Sequence, residues 1–356
     1  MRRVTPLLVG TLLGLKAMAA SSAIAASLAI AAPVTTREAA QGETTGGAMR
    51  GAVRLAARGA YIEIAADPRA AELVLMEREF CATVRRHGMR DGFLRYMAED
   101  GILFRPGPVV AHEVLPQRPR TPAWLLWAAG FADVAASGDL GYTTGPSEFR
   151  PGGEADTTVG YGSFVTVWER DRDGAWRIAI DCGTGHDLSA DEAAVLATAM
   201  RAQSGGRVPA AEAAVEAPAP PTAHDSRPAN ATRDPRPVEA LLALDRAIGR
   251  ASVAAESGTS ADRNCRYLRN GASPAIGSVA LREAMPGAEA ASAPGSESVP
   301  QAGGVSSAFD LGYVYGGYAM GPGVQEERGS YLRIWKRSEE QWAVVLEVLC
   351  PHPPAP

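Results

Sequence analysis

Asp139-Leu140-Gly141-Tyr142, with Gly145, is followed by Gly162-Ser163-Phe164-Val165-Thr166-Val167-Trp168-Glu169-Arg170 and then Trp176. The pattern returns as Asp310-Leu311-Gly312-Tyr313, with Gly316, then Gly329-Ser330-Tyr331-Leu332-Arg333-Ile334-Trp335-Lys336-Arg337 and Trp342. The offset is 171 residues at the Asp-Leu-Gly-Tyr, 167 at the Gly-Ser and 166 at the second Trp. Solenoid repeats have periods of about 20–50 residues, so a spacing this long indicates a tandem domain duplication.

Working outward, Ser163–Arg170 and Trp176–Asp181 read as a β-hairpin about the turn Asp171-Arg172-Asp173-Gly174. Alternation puts Phe164, Thr166 and Trp168 on one face, and Val165 and Val167 on the other. It also groups Trp176, Ile178 and Ile180 against Arg177 and Asp181. Upstream, Phe131–Ala136 and Leu140–Phe149 are expected strands on either side of the turn Ser137-Gly138-Asp139. Leu73, Met76, Phe80 and Val84 recur at helical spacing over Glu72–Arg86. A second helix is expected over Asp91–Glu99, a loop over Phe104–Pro108 and a strand near Trp124–Trp127. Ser189-Ala190-Asp191-Glu192 is a capping box opening a helix within 187–203. In the second half, Leu241, Leu242, Leu244 and Ile248 give a first helix, with Asp245 where Glu77 stands in the first. Gly287–Gly304 reads as an enlarged low-complexity loop. The hairpin Tyr331–Arg337 and Trp342–Leu349 is intact.

These elements divide the 356 residues into a segment 1–32, a Gly/Thr/Ala-rich segment 33–69, a domain at 70–186, a helix at 187–203, a Pro/Ala-rich disordered linker at 204–237 and a second, degenerate domain at 238–352. Segment 1–32 has Arg2-Arg3, an apolar run Pro6–Leu15 and small-residue cleavage sites ending at Ala19, Ala25 and Ala31. That is the pattern of a signal peptide, so export to the periplasm or beyond is expected, with an uncleaved N-terminal anchor as the alternative. No membrane span is expected in the mature chain. Formal charge is −5. Residues 71–186 carry 12 Arg against 16 acids, and 237–352 carry 10 basic against 13 acidic residues. Neither half has the basic excess that phosphate-backbone binding demands, which excludes nucleic acid as a partner.

The run Ser137–Thr143, Gly160–Trp168 and Asp173–Asp181, behind N-terminal helices, resembles the DUF4440 group of NTF2-like proteins, the superfamily of ketosteroid isomerase and the SnoaL-like polyketide cyclases. The resemblance covers most of 71–186 and recurs more weakly over 237–350. It implies an α+β fold: two NTF2-like cone domains, each with N-terminal helices packed on a curved antiparallel sheet, often with a pocket at the wide end. It also implies association through the sheets, between domains or as a homodimer.

Asp139 and Asp310 suit turn-capping side chains, and Gly141 and Gly312 a bulge or close approach, so the repeated signature reads as scaffold. An isomerase-like site needs a carboxylate base in an apolar pocket and a donor opposite it. Tyr142 with Asp181 is the candidate pair, although neither matches a motif of the isomerases. Phe104, Trp127, Tyr142 and Trp168 are the candidate pocket residues. Each half holds one Cys in its helical part and one near its last strand, so Cys81–Cys182 and Cys265–Cys350 is the most economical disulfide pairing; four buried thiols is the competing reading. Metal-ligand spacings, a nucleophile elbow and a phosphate loop are lacking, and no cofactor is implied. The leading expectation is non-catalytic binding of a small apolar molecule or a protein. The alternative is a cofactor-free enzyme moving a proton on a carbonyl compound.

Overall fold

The structure, a computed structural model, describes residues 63–64, 67–203, 235–248, 265–277, 297–320, 327–338 and 341–353. The signal-like segment, most of 33–69 and most of the linker 204–237 lie outside them. Among the described residues the first lobe comprises β1 (Glu63–Ile64), α1 (Pro68–His87), α2 (Met89–Tyr96), β2 (Met97–Phe104), β3 (Pro108–Val110), α3 (Ala111–Val114), β4 (Trp124–Trp127), β5 (Phe131–Val134), β6 (Leu140–Arg150), β7 (Gly160–Arg170), β8 (Trp176–Gly185) and α4 (Ala190–Gln203). The second comprises α5 (Arg236–Ile248), β9 (Arg266–Arg269), β10 (Ala272–Ile276), β11 (Glu297–Val305), β12 (Leu311–Met320), β13 (Glu327–Ser338) and β14 (Gln341–Pro351). The fold is α+β, with helices packed on curved, mainly antiparallel sheets. Among the described residues no helix is long and apolar enough to cross a membrane.

The two sheets share one strand order. In the first lobe it is β1-β5-β6-β7-β8-β2-β3, with β4 also on β6. In the second it is β11-β12-β13-β14-β9-β10. Both carry a parallel pair at the matching place, β2 on β8 and β9 on β14, and the first sheet adds β1 parallel to β5 at its other edge. Two expectations are corrected here. The helix expected to reach Glu99 ends at Tyr96, because Met97 onward is drawn into the sheet beside β8. The low-complexity stretch 287–304 is not all loop: from Glu297 it pairs with β12 as β11.

Local chemistry sets the helix ends. Asp67 caps α1 by accepting from the Arg69 backbone N–H at 2.9 Å, Pro68 opens its first turn, and Arg85, Arg86 and His87 sit at its negative C-terminal end. The capping box holds at α4, where Ser189 N–H donates to Glu192 Oε2 at 3.0 Å and Glu192 N–H to Ser189 Oγ at 3.3 Å. Gly141 and Gly312 are close-approach glycines: a Cβ would sit 2.8 Å from Leu73 of α1 in one case and 2.6 Å from Leu241 of α5 in the other.

Each lobe has its own core under its helices. Leu73, Met76, Phe80, Trp127, Trp168 and Ile178 belong to the first; Leu241, Val314, Tyr331 and Trp335 to the second. A third cluster lies between the sheets. It joins Tyr142, Val165, Val167, Ile180 and Cys182 to Leu268, Leu311, Leu332, Ile334, Leu346, Val348 and Cys350. The outer faces of the two sheets therefore cover each other within one chain.

The repeated Asp-Leu-Gly-Tyr turns clasp this interface. Asp139 accepts from Ser137 Oγ in its own turn at 2.6 Å, and from the backbone N–H of Ser307 in the other lobe at 3.1 Å. Asp310 accepts from its own Ser306 Oγ and, reciprocally, from the Ala136 N–H of the first lobe, both at 2.8 Å. The turn role expected of these aspartates is thus half local and half between lobes. Lys336 adds an ion pair with Asp133, and Tyr313 Oη donates to Glu169 Oε1 at 3.0 Å.

Candidate functional site

The site is built by a bulge. Val167 pairs with Ile180 but Trp168 with Ile178, so Ala179 is an extra residue in β8. An extra residue inverts the alternation beyond it. Trp176 and Ile178 face the core under α1, Ile180 and Cys182 face the other lobe, and Asp181 turns inward opposite Thr166. Strict alternation had grouped Ile180 with Ile178, and that is corrected here. The second lobe repeats the device, with Val345 as the extra residue and Glu347 turned inward opposite Arg333.

Under the helices, Glu77 projects from α1 and is 1% exposed. Trp127 Nε1 and Thr143 Oγ1 donate to its carboxylate, and Trp168 Nε1 donates at 2.9 Å. Burial pushes Glu77 above its ordinary range; the donors Thr143, Trp127, Trp168 and Thr166 pull the other way without cancelling it. Nearer the mouth, Asp181 accepts from Thr166 Oγ1 at 3.2 Å. Burial raises Asp181 to about 7; Arg105 opposes the rise and the charge of Glu77 adds to it. Asp181 borders a cavity of about 470 Å³ whose walls include Phe93, Leu125, Trp127, Phe164 and Arg105. An adjoining cavity of about 430 Å³ shares Phe93 and Arg105 and is lined by Arg90, Arg118 and Arg120 as well. The base of the cone is filled: Phe80 packs edge-on against Phe93 and Trp127, with centroids 4.9 Å apart in each case.

The second lobe holds the matching acid differently. Asp245 of α5 accepts from Tyr331 Oη at 2.6 Å, Trp335 Nε1 at 3.2 Å and Arg333 at 3.3 Å. Arg333 also donates to Glu347 at 2.7 Å. Burial works against the charge on Arg333, but Glu347 and Asp245 outweigh it and hold the guanidinium above its ordinary value.

Of the candidate residues, Asp181 and Trp127 border the cavity. Tyr142 does not: it lies between the lobes, stacked at a tilt on Phe131 with centroids 5.7 Å apart, so the sheet separates it from Asp181 and the pair is not formed. Phe104 is also at the interface, against Tyr315. Trp168 is fully buried and serves Glu77. The disulfide pairings are corrected as well. All four cysteines are buried thiols. Cys81 and Cys265 belong to the cores under the helices, Cys182 and Cys350 to the cluster between the sheets, so each expected pair is split by its own sheet.

Glu77, Thr166 and Arg105 were not singled out from the sequence. Glu77 carried a signal: an acid on the apolar stripe of α1, matched by Asp245. A second matched pair was also missed. Ser163 Oγ lies 2.8 Å from His186 Nε2, and Ser330 Oγ lies 2.9 Å from His352 Nε2, at offsets of 167 and 166. Because both lobes keep it at the ends of their last strands, this Ser–His contact is a brace of the scaffold. Among the described residues no group of three His, Cys, Asp or Glu is placed to hold a metal.

The class these features define is an α+β cone protein with one titratable carboxyl in an aromatic-walled mouth. No family model and no curated protein matches the sequence. Solved structures to which the chain is similar include an NTF-2 like protein of unknown function from Shewanella oneidensis (10% identity, 31% of this chain and 98% of that one, TM-score 0.25). A ketosteroid isomerase-like protein from Erwinia carotovora aligns at 16% identity over 33% of this chain and 91% of that one, TM-score 0.24. A nuclear transport factor 2 (NTF2-like) superfamily protein from Salmonella enterica aligns at 9% identity over 35% of this chain and 96% of that one, TM-score 0.27.

Proposed function

We propose that this chain is an exported, tandemly duplicated NTF2-like (DUF4440) protein whose first lobe binds a small amphipathic molecule. The observation that carries the reading is the cavity of about 470 Å³, walled by Phe93, Leu125, Trp127 and Phe164, with Asp181 and Arg105 as the charged residues of its lining. Apolar walls with a few convergent polar groups are the usual make-up of a ligand pocket. The arginines of the adjoining cavity suit a ligand with an anionic end. The shared strand order, bulge and clasp support the duplication. A protein partner is the weaker reading, because the sheet faces that would serve it already cover each other.

The probe is 1-anilinonaphthalene-8-sulfonate, an aromatic anion. Its fluorescence is expected to rise and saturate at one site per chain. Trp127→Ala and Arg105→Gln should each weaken binding several-fold, and Phe309→Ala, at an exposed second-lobe residue, should not. Binding that ignores both first-lobe substitutions rules the site out.

One observation favours a catalytic second reading. A carboxyl poised near neutrality in an apolar cavity is suited to taking a proton from carbon next to a carbonyl. Arg105, not Tyr142, would then face the developing oxyanion. Deuterium exchange at the α-carbon of a cyclic ketone in D₂O, faster with the protein than with Asp181→Asn, is the expected signature. Equal rates discard catalysis and leave the binding reading intact.

A further inference from the structure

We propose that Cys182 and Cys350 are the two partners of one disulfide that ties the lobes together across their interface. Cys182 lies on β8 and Cys350 on β14, in the same apolar cluster between the sheets. Cys350 Sγ is 3.6 Å from the carbonyl oxygen of Gly183, the residue next to Cys182. The neighbouring Cys350 thiol, together with burial, pushes Cys182 well above the usual thiol range. Cys81 and Cys265 are buried in separate cores with a sheet between each and this pair, so only one disulfide fits the fold.

The repeat pattern sharpens the point. At the offset of 166 that aligns the last strands, Cys182 matches Val348 and Cys350 matches Thr184. Neither cysteine belongs to the repeated signature. Each is a departure of one half from the other, and the two departures meet. The meeting exists only when both halves are joined face to face.

The oxidant required is a low-molecular-weight disulfide, RSSR. Cys350 is the more exposed of the two, at 8% against 2% for Cys182. Its thiolate attacks one sulfur of RSSR, forming Cys350–S–SR and releasing RS⁻. The Cys182 thiolate then attacks the Cys350 sulfur and displaces the second RS⁻. The two thiol protons end on the two RSH products, and the two electrons given up by the cysteines reduce RSSR.

The test equilibrates the full-length chain with reduced and oxidised glutathione, denatures and alkylates it with iodoacetamide, and weighs it. Two alkyl groups are expected, on Cys81 and Cys265, together with a peptide joining Cys182 to Cys350. Four alkyl groups at every redox ratio, or a link through Cys81 or Cys265, overturn the proposal. Cys182→Val and Cys350→Thr borrow the residue at the matching position, which guards against misfolding, and each should take three alkyl groups under the same conditions. Reductant should lower the wild-type melting midpoint by roughly 10 °C and leave both variants unmoved. An equal response in all three chains overturns the proposal.

Discussion

The polar well of the first lobe and that of the second stand on the same strands and are filled differently. In the first, Glu77 and Asp181 are two acids separated by Thr166, and the nearest positive influence on Asp181 is Arg105 at the mouth. In the second, Asp245 and Glu347 are separated by Arg333, which bonds to both. Thr166 and Arg333 occupy the same place, at the offset of 167 and opposite the inward acid after the bulge. One side chain therefore decides between an acid pair bridged by a guanidinium and an acid pair that shares only a hydroxyl. The second lobe uses its buried ions for structure. The first leaves a carboxyl poised to titrate.

The largest effect that tests this contrast is Arg333→Met. It strands Asp245 and Glu347 in the core, and breaking a buried network from one side costs about 3–5 kcal/mol. Thr166→Val, the matching change in the first lobe, removes the hydroxyl that serves Asp181 and Glu77 and should cost about 1–2 kcal/mol. Urea denaturation of the two variants measures the difference. Similar losses would mean that Arg333 is not the pivot of its lobe.

The next effect is a pH dependence confined to the first lobe. Asp181 takes up its proton near 7 in the folded protein and near 3.8 in the unfolded chain. Between those values the folded state holds more protons, so stability falls as pH rises. It is fullest below about pH 4 and is lost by about pH 7, by up to about 4 kcal/mol. Glu77, shifted in the same direction, adds to the slope. Asp181→Asn should flatten most of it and make the protein more stable than wild type at pH 8. Thermal melts from pH 4 to 8 test this, and a variant as pH-sensitive as wild type places the titrating group elsewhere.

Much of this architecture is legible in the residues, and the part that is not has physical causes. The stripe Leu73, Met76, Phe80, Val84 and the hairpin turn at Asp171–Gly174 are local signals, and local signals survive reading. The parallel pairing of Met97–Phe104 with β8 has no local signature, because its partner lies some 80 residues on; the segment's periodicity fits the end of a helix equally well. The bulge at Ala179 is one residue in an unbroken apolar run, and it inverts the face of everything after it. Hence strict alternation places Asp181 on the face opposite Ile178, whereas the bulge turns it inward and leaves Tyr142 on the far side of the sheet. The clasp between Asp139 and Asp310 could be read as two turns but not as one contact, since nothing in either turn says that the other is its partner.

Smaller again is the clasp itself, where the comparison predicts symmetry. Asp139→Ala and Asp310→Ala each leave a backbone N–H of the other lobe without its acceptor, at about 1–3 kcal/mol apiece. Because both act on one interface, the double variant should lose less than the sum. Losses that add in full would show two independent turns.

The smallest expected change in stability carries the sharpest information. Glu77→Gln keeps the shape of the side chain and one acceptor oxygen, loses the second, and removes a buried charge. These terms oppose each other, so the net change at neutral pH should stay within about 1 kcal/mol. The electrostatic effect on its neighbour does not cancel. Glu77 is one of the groups that raise Asp181, so its neutral replacement should move the midpoint of the stability–pH curve toward acid. The matching substitution in the second lobe, Asp245→Asn, acts on a carboxylate already held by Arg333, so no such displacement is expected from it. An acidward shift for Glu77→Gln alone would show that the two acids of the first lobe titrate as a coupled pair across Thr166. A shift for neither variant would leave the lobes differing in packing but not in electrostatics.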